Sequence, residues 1–502
     1  MRFPRASGVL LHPTSLPGPH GSGDFGPEAY HFVDWLVAAG QKLWQLLPLA
    51  GIGPGNSPYM SNSAFAGNAL LIDLAELQQQ GWLDAADIAP MPGLKAAGNA
   101  QIDFSLMYPF RMERLAKAAA RFASHGTAAQ REDFARFHAD HASWLTDYAL
   151  FMSLCEACGW QDWCLWEPAL ARREPAAMAA AIARHAERMA FWQFCQWRFY
   201  RQWAALKAYA NGKGVQVIGD TPIFIAYLSA EVWANQHLFE LDSTPGNWGR
   251  PTVVAGVPPD FFAATGQRWG NPLYRWAEHA KDGYAWWVER VRRTFELVDI
   301  VRIDHFRGFA GYWEIPASEP TAMTGRWVPG PGDALFKAIH QALGPLPIIA
   351  EDLGVITPDV DALRQQFGLP GMRILQFAFN GDATDRFLPH NHEPDTVVYT
   401  GTHDNDTVAG WWATATDRER HYARGYLNTD GHDMPWTFIR AAMASVADTC
   451  VHPLQDVLAL PTECRMNFPG QESGWWGWRF QWAQIQPWHA QRLAELGRLY
   501  GR

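Results

Sequence analysis

The sequence predicts an α/β fold: a (β/α)8 TIM barrel interrupted by inserted subdomains. Three observations point there. Eight short apolar runs end in polar or chemistry-bearing residues, and helical segments separate several of them. Near-continuous apolar strands mean a parallel sheet covered on both faces, and eight such units favour closure over an open sheet. At 502 residues the chain is too long for one small domain but suits a barrel with insertions.

The predicted strands, in order, are Gly8–Leu11, Leu43–Leu47, Val215–Ile218 running into Gly219-Asp220, and Ile300–Asp304. They continue with Ile348–Asp352, Arg373–Phe377, Val397–Thr400 leading to His403-Asp404, and Val457–Leu460. Helical patterns over Pro27–Ala39, Ala334–Leu343, Pro358–Phe367, Asp417–Leu427 and Trp436–Ser445 fall between them. About 165 residues separate the second and third strands and about 80 the third and fourth, too many for simple crossovers. The first gap is rich in Ala, Arg and Glu (Phe110–Ser124, Arg131–Leu150, Ala176–Lys207), so a mostly helical subdomain is expected over about 60–190. The second, about 223–298, is Pro-, Gly- and Trp-rich between Thr244 and Asn271 and is expected to form loops covering a site. Both gaps rise from strand C-termini, where barrel enzymes keep their active sites.

Composition narrows the chemistry. A net charge of −10 with no basic block argues against nucleic acid and against an anionic membrane surface. No apolar run is long enough to span a membrane, and Val9-Leu10-Leu11 is too short for a signal peptide, so a cytoplasmic protein is expected. Six cysteines, with one Cys155–Cys158 CxxC and no second pair, form neither a disulfide framework nor a zinc cage. The unusual count is 26 Trp, which suggests planar platforms for a ring-stacking ligand. Gly21 to Gly26 matches GxGxxG literally, but Pro13, Pro17 and Pro19 separate it from the first strand, so it reads as a turn-rich loop.

The strongest signal is positional. Asp220, Asp304, Glu351 and Asp404 each follow a predicted strand, and four carboxylates at one barrel mouth repel one another unless the chemistry needs them. Glycoside chemistry does: one carboxylate attacks the anomeric carbon, one protonates the leaving oxygen, and others hold hydroxyls. Arg302 lies two residues before Asp304 and points the same way, which keeps that carboxylate ionised as a nucleophile requires. Glu351, on the neighbouring strand, faces that charge in a water-poor cleft and is expected to stay protonated as a general acid. His403-Asp404 offers a donor and an acceptor for two vicinal hydroxyls.

At these residues the chain resembles the amylomaltase (disproportionating enzyme) family of 4-alpha-glucanotransferases, glycoside hydrolase family 77. The resemblance runs from His12-Pro13-Thr14-Ser15-Leu16-Pro17 nearly to the C-terminus. Its most specific stretches are Ser57-Pro58-Tyr59, Ser63–Asn68, Gly219–Ile223, Pro259–Phe262, Gly266–Pro272, Arg302–Gly308, Ala350–Gly354 and Thr402–Asp406. It implies an α-amylase-like barrel without a C-terminal β-domain, acting on α-1,4-glucans and maltooligosaccharides with glucose or another glucan as acceptor. It implies Asp304 as nucleophile, Glu351 as general acid/base and Asp404 as transition-state stabiliser. Tyr59, Asp220, Asp260, Gln267, Trp269, Arg302, His403 and Asn467 are implied as substrate-binding residues. No cofactor and no catalytic metal are implied. The loop Pro258–Asn271, with Phe261, Phe262 and Trp269, resembles one that covers the acceptor cleft. Other outcomes of the same residues are an α-1,4-glucan hydrolase, whose acceptor is water, and a non-catalytic glucan-binding protein. The intact carboxylate trio speaks against the last.

Overall fold

A computed structural model describes residues 2–93, 101–259 and 263–502. Eight parallel strands form the barrel wall: β1 (Ala6–Leu10), β2 (Leu43–Gln45), β3 (Gln216–Pro222), β4 (Ile300–Asp304), β5 (Ile348–Ala350), β6 (Gly371–Ile374), β7 (Thr396–Tyr399) and β8 (Thr449–Pro453). Hydrogen-bonded neighbours run β6-β7-β8-β1-β2-β3-β4-β5. The seam between β5 and β6 is bridged by the Ala350 N–H donating to Pro370 O at 2.9 Å. β1 therefore lies between β2 and β8, with Ala6 opposite Thr449 and Gly8 opposite Leu43. Gly8 is required there, since a Cβ on it would stand 2.3 Å from the Leu43 carbonyl oxygen.

Seven strands fall where the sequence predicts them, to within a few residues. The eighth does not. Val457–Leu460 is the end of a short helix and a left-handed turn at Ala459, and the strand is instead Thr449–Pro453. The apolar run misled because β8 buries two polar side chains: Thr449 and a neutral His452, whose Nε2 lies 3.3 Å from Cys450 Sγ. Burial pushes the His452 pKa down to about 3, so the imidazole stays uncharged in the wall.

Helices pack outside this wall. Pro27–Ala38 follows β1, Ala285–Leu297 precedes β4, Asp333–Leu343 precedes β5, Pro358–Gln366 precedes β6, and Met434–Ala444 precedes β8. Proline opens Pro27–Ala38 and Pro358–Gln366 at the position whose N–H has no intrahelical partner. The link between β6 and β7 holds only 3-10 turns. The first long gap carries several helices, and two of the predicted ones are each broken. Ala128–Asp140 and Ala142–Ala157 meet at a bend at His141, and Pro175–Arg184 and Ala186–Gly212 meet at His185. Neither bend carries the Gly or Pro that marks a break in sequence.

The second long gap holds more than loops. Strands Val253–Val257 and Gln267–Pro272 pair with Gly311–Pro316 and Arg326–Pro329, which come from the connection after β4. This four-stranded antiparallel sheet is thus stitched from two insertions on neighbouring barrel strands, above the same edge of the mouth.

Much of the indole lies in the core rather than on platforms. Trp44, Trp82, Trp163, Trp197, Trp203, Trp233, Trp436 and Trp478 are among the most fully buried side chains. Each buries ~150–250 Å², which at ~25 cal/mol/Å² is an upper bound of about 4–6 kcal/mol. The Gly/Pro-rich loop after β1 is, as predicted, a turn. Two buried arginines staple it: Arg479 donates to the carbonyls of Leu16, Gly18 and Gly21, and Arg111 to those of His20 and Ser22. Among the described residues no helix is long and apolar enough to cross a membrane.

Candidate active site

Barrel register brings the strand-end carboxylates together. Asp220 sits opposite Arg302, and Ile303 opposite Ala350, so Asp304 and Glu351 are the next neighbours on adjacent strands ~4.8 Å apart. The Glu351 N–H donates to Ile303 O at 3.1 Å and fixes that pairing.

Arg302 is the hub. Its Nη1 donates to Asp220 Oδ2 at 2.5 Å and its Nη2 to Asp304 Oδ1 at 2.8 Å, so one fork clamps two carboxylates. The Asp220 side chain is 0% exposed, the Arg302 side chain 4%, and the Asp304 side chain 27%. Burial pushes the Asp220 carboxyl up against the pull of Arg302. Tyr59 Oη donates to Asp220 Oδ2 at 2.9 Å and lies 2.9 Å from His403 Nε2. Having given its proton to Asp220, Tyr59 accepts from His403, which places the histidine proton on Nε2. The Tyr59 and His403 rings stack at 5.2 Å, and Trp476 leans on both. Asp220 Oδ1 is buried with no partner among the described residues.

Glu351 is held differently. Its Oε2 accepts the His305 N–H at 2.8 Å and its Oε1 the Leu353 N–H at 2.7 Å. Burial first, then the Asp304 charge, push its pKa up to about 7, while Arg302 and the two N–H groups oppose the rise. His305 adopts φ 53, a left-handed turn that aims its N–H across to the neighbouring strand end. Asp352, the next residue, accepts the Met372 N–H at 2.6 Å and bonds Arg386 and Arg373, anchoring this segment to β6.

Asp404 lies five residues beyond the end of β7, in a turn rather than at the strand end. Asn405 Oδ1 accepts the Thr402 N–H and Oγ1, and this closes the turn that presents His403 and Asp404. Asp404 Oδ1 accepts from Asn467 Nδ2 at 2.7 Å and stands 3.3 Å from His403 Nε2. Asn467 thus holds Asp404, and its own N–H donates to His403 O. Trp269 lies on the antiparallel sheet, its Nε1 donating to Gln267 Oε1 at 3.1 Å and its ring meeting the edge of His305 at 4.8 Å.

The structure therefore brings Tyr59, Asp220, Arg302, Asp304 and His403 into one bonded network. Glu351 and Asp404 join it through His305 and His403, and Trp269 and Gln267 sit beside it. Asp260, Phe261 and Phe262 lie outside the described residues. Sequence reasoning missed His305 as a backbone donor, Asn405 as the turn-former, and Arg465, whose Nη2 holds the Asp404 carbonyl at 3.0 Å. A backbone donor leaves no trace in residue type, but Thr402-x-x-Asn405 is a readable turn signal.

Known proteins resemble this chain over its length. Residues 11–485 match the family described as 4-alpha-glucanotransferase. A 4-alpha-glucanotransferase of Thermus thermophilus is 50% identical, over 99% of both chains. One from Synechocystis sp. is 44% identical over 99% of this chain and 98% of the other. Among solved structures, the amylomaltase from Streptococcus agalactiae in complex with acarbose superposes with a TM-score of 0.94 at 38% identity, covering 99% of each chain.

Proposed function

Because the chain belongs to the 4-alpha-glucanotransferase family, glycoside hydrolase family 77, we propose that it moves segments of α-1,4-glucans to another glucan or to glucose. The proposed reaction is a double displacement. One observation carries it: Asp304 and Glu351 are register neighbours in opposite environments, one clamped by a cation, the other buried beside a fixed negative charge.

Arg302 engages Asp304 Oδ1, leaving Oδ2 to attack the anomeric carbon. As the C1–Oδ2 bond forms, the C1–O4 bond of the glucan breaks and Glu351 gives its proton to the departing O4. The donor piece is then an ester of Asp304. In the second half the acceptor's 4-hydroxyl gives its proton to Glu351 and its oxygen displaces Asp304 from C1. Asp404, held by Asn467 and His403, steadies the positive charge that develops at the anomeric centre. Asp220 and His403 are the residues that take hydroxyls of the transferred sugar in this reading. Transfer rather than hydrolysis requires an acceptor held over the ester while water, at ~55 M, is excluded; positioning alone reaches effective molarities of ~10⁵–10⁸ M. Trp269, fixed by Gln267 and His305, is the acceptor platform of this reading. The reading includes a cytoplasmic location, which six unpaired cysteines support.

Incubation with maltotriose tests it. Glucose plus a ladder of longer maltooligosaccharides, with little gain in reducing ends, is expected. Steady growth of reducing ends with nothing longer than the substrate would make the enzyme a hydrolase. Asp304→Asn should abolish both. Glu351→Gln should lose ~10²–10⁴ on glucans yet release a leaving group that needs no proton.

A further inference from the structure

The antiparallel sheet carries Trp269 on one outer strand, and Trp327 on the other. Trp327 is 44% exposed, so burial does not account for it. Nor does it join the small core of that sheet, which is Val254, Ile315 and Ala322 with Trp313 and Ala317 packed on them. Yet its indole is rigidly set. The Arg307 guanidinium lies over the ring at 4.0 Å. Trp313, its direct cross-strand partner, meets it at 5.3 Å and 67°, and is itself fixed by Nε1 donating to Ala322 O at 3.0 Å. Arg307 is buried and donates to the carbonyls of Gly311 and Val355. An aromatic plane backed by a cation and braced at its edge has little left to lose on binding, which is what a stacking surface needs.

Its position ties it to the mouth. Arg307 stands three residues beyond Asp304, and Val355 four beyond Glu351, so the two loops that bear the reacting carboxylates also brace this indole. Arg326, the preceding residue, projects to the opposite face of the strand and pairs there with Glu314 at 2.7 Å, so it does not crowd the indole. A pyranose offers a flat C–H face with hydroxyls around the rim. The half-exposed indole plane matches that C–H face.

We propose that Trp327 is a stacking platform for a glucosyl unit several sugars away from the bond being cleaved, which favours long α-1,4-glucans over short ones. It rests on the glucanotransferase reading above. The test compares Trp327→Ala with the parent, as full chains, on maltotriose alone and on long linear amylose. On amylose kcat/KM should fall about tenfold, equivalent to about 1.4 kcal/mol, and through KM rather than kcat. On maltotriose the loss should be at most twofold, and Trp327→Tyr should recover most of the amylose activity. Equal losses on both substrates, or no loss on amylose, would overturn the proposal. Electrophoresis through an amylose-containing gel gives a readout separate from turnover. Retardation of the parent that Trp327→Ala loses, in a protein that transfers nothing, would sink the transferase reading and leave the platform standing. Equal retardation of both in an active enzyme would sink the platform alone.

Discussion

Replacing Arg302 with methionine exposes how far one guanidinium sets the protonation of the whole mouth. It is almost wholly buried and touches Asp220 at 2.5 Å and Asp304 at 2.8 Å. Charges about 4 Å apart at an effective dielectric of about 20 attract by about 4 kcal/mol. Without that cation, Asp220 and Asp304 face each other unneutralised, and the Asp220 carboxyl, already pushed up by burial, loses the charge that opposes the rise. The proposed nucleophile, Asp304, loses the fork that orients it, and Asp220, a proposed sugar contact, is left as a buried carboxyl without its cation. Stripping a buried charge of its partner also costs about 3–5 kcal/mol of stability, or about 3–5 °C in Tm for a chain of this size. Arg302 further holds the Glu351 pKa down, so its loss moves that pKa upward. The assay is initial-rate glucose release from maltotriose between pH 5 and 9, with calorimetry alongside. At least a ~10²-fold drop in kcat is expected, together with a descending limb displaced to higher pH. A variant within tenfold of the parent, with its limb unmoved, would refute the clamp as the organising charge of the site.

Three further expectations follow from the same geometry. With Glu351 at about 7, the acid it must supply disappears as pH rises through that value, so kcat/KM should fall tenfold per unit above about pH 7; a flat profile to pH 9 would reassign the proton donor. Trp269→Ala should weaken transfer more than hydrolysis, raising the fraction of turnovers that end in water, read by reducing-end assay against product length. Arg502→Ala should lower Tm by about 2–4 °C with activity at 25 °C intact, because this buried guanidinium donates to the carbonyls of Ala6, Ala442, Met443, Ser445, Ala447 and Asp448; an unchanged melting curve would count against it.

The barrel was legible because its strands are buried on both faces and so read as unbroken apolar runs. The run fails as a signal where the wall accepts a histidine: β8 passes through Thr449 and His452, and the more apolar Val457–Leu460 drew the assignment. The antiparallel sheet escaped notice for another reason. Val253–Val257 pairs with Gln267–Pro272 on one side but with Gly311–Pro316, across β4, on the other, and no local pattern announces that second, distant pairing. In the site, Arg302 and Asp304 were legible from a spacing of two on one strand, and Glu351 from the adjoining strand end. Asp404 was not a strand-end residue at all; its place depends on Asn405 closing a turn and on Asn467 reaching it from far along the chain.

The place of β1 in the wall has a consequence for how the molecule is made. Its partner on one side, β2, emerges from the ribosome within seconds, but its partner on the other side is β8, more than four hundred residues later. At ~5–20 residues per second that strand waits roughly 20–90 s with one backbone edge unpaired. Closure of the ring therefore waits until the last strand has been made, and it rests on a contact of very high sequence separation. Until then the nascent chain presents an open, apolar strand edge, which is a template for pairing with other chains.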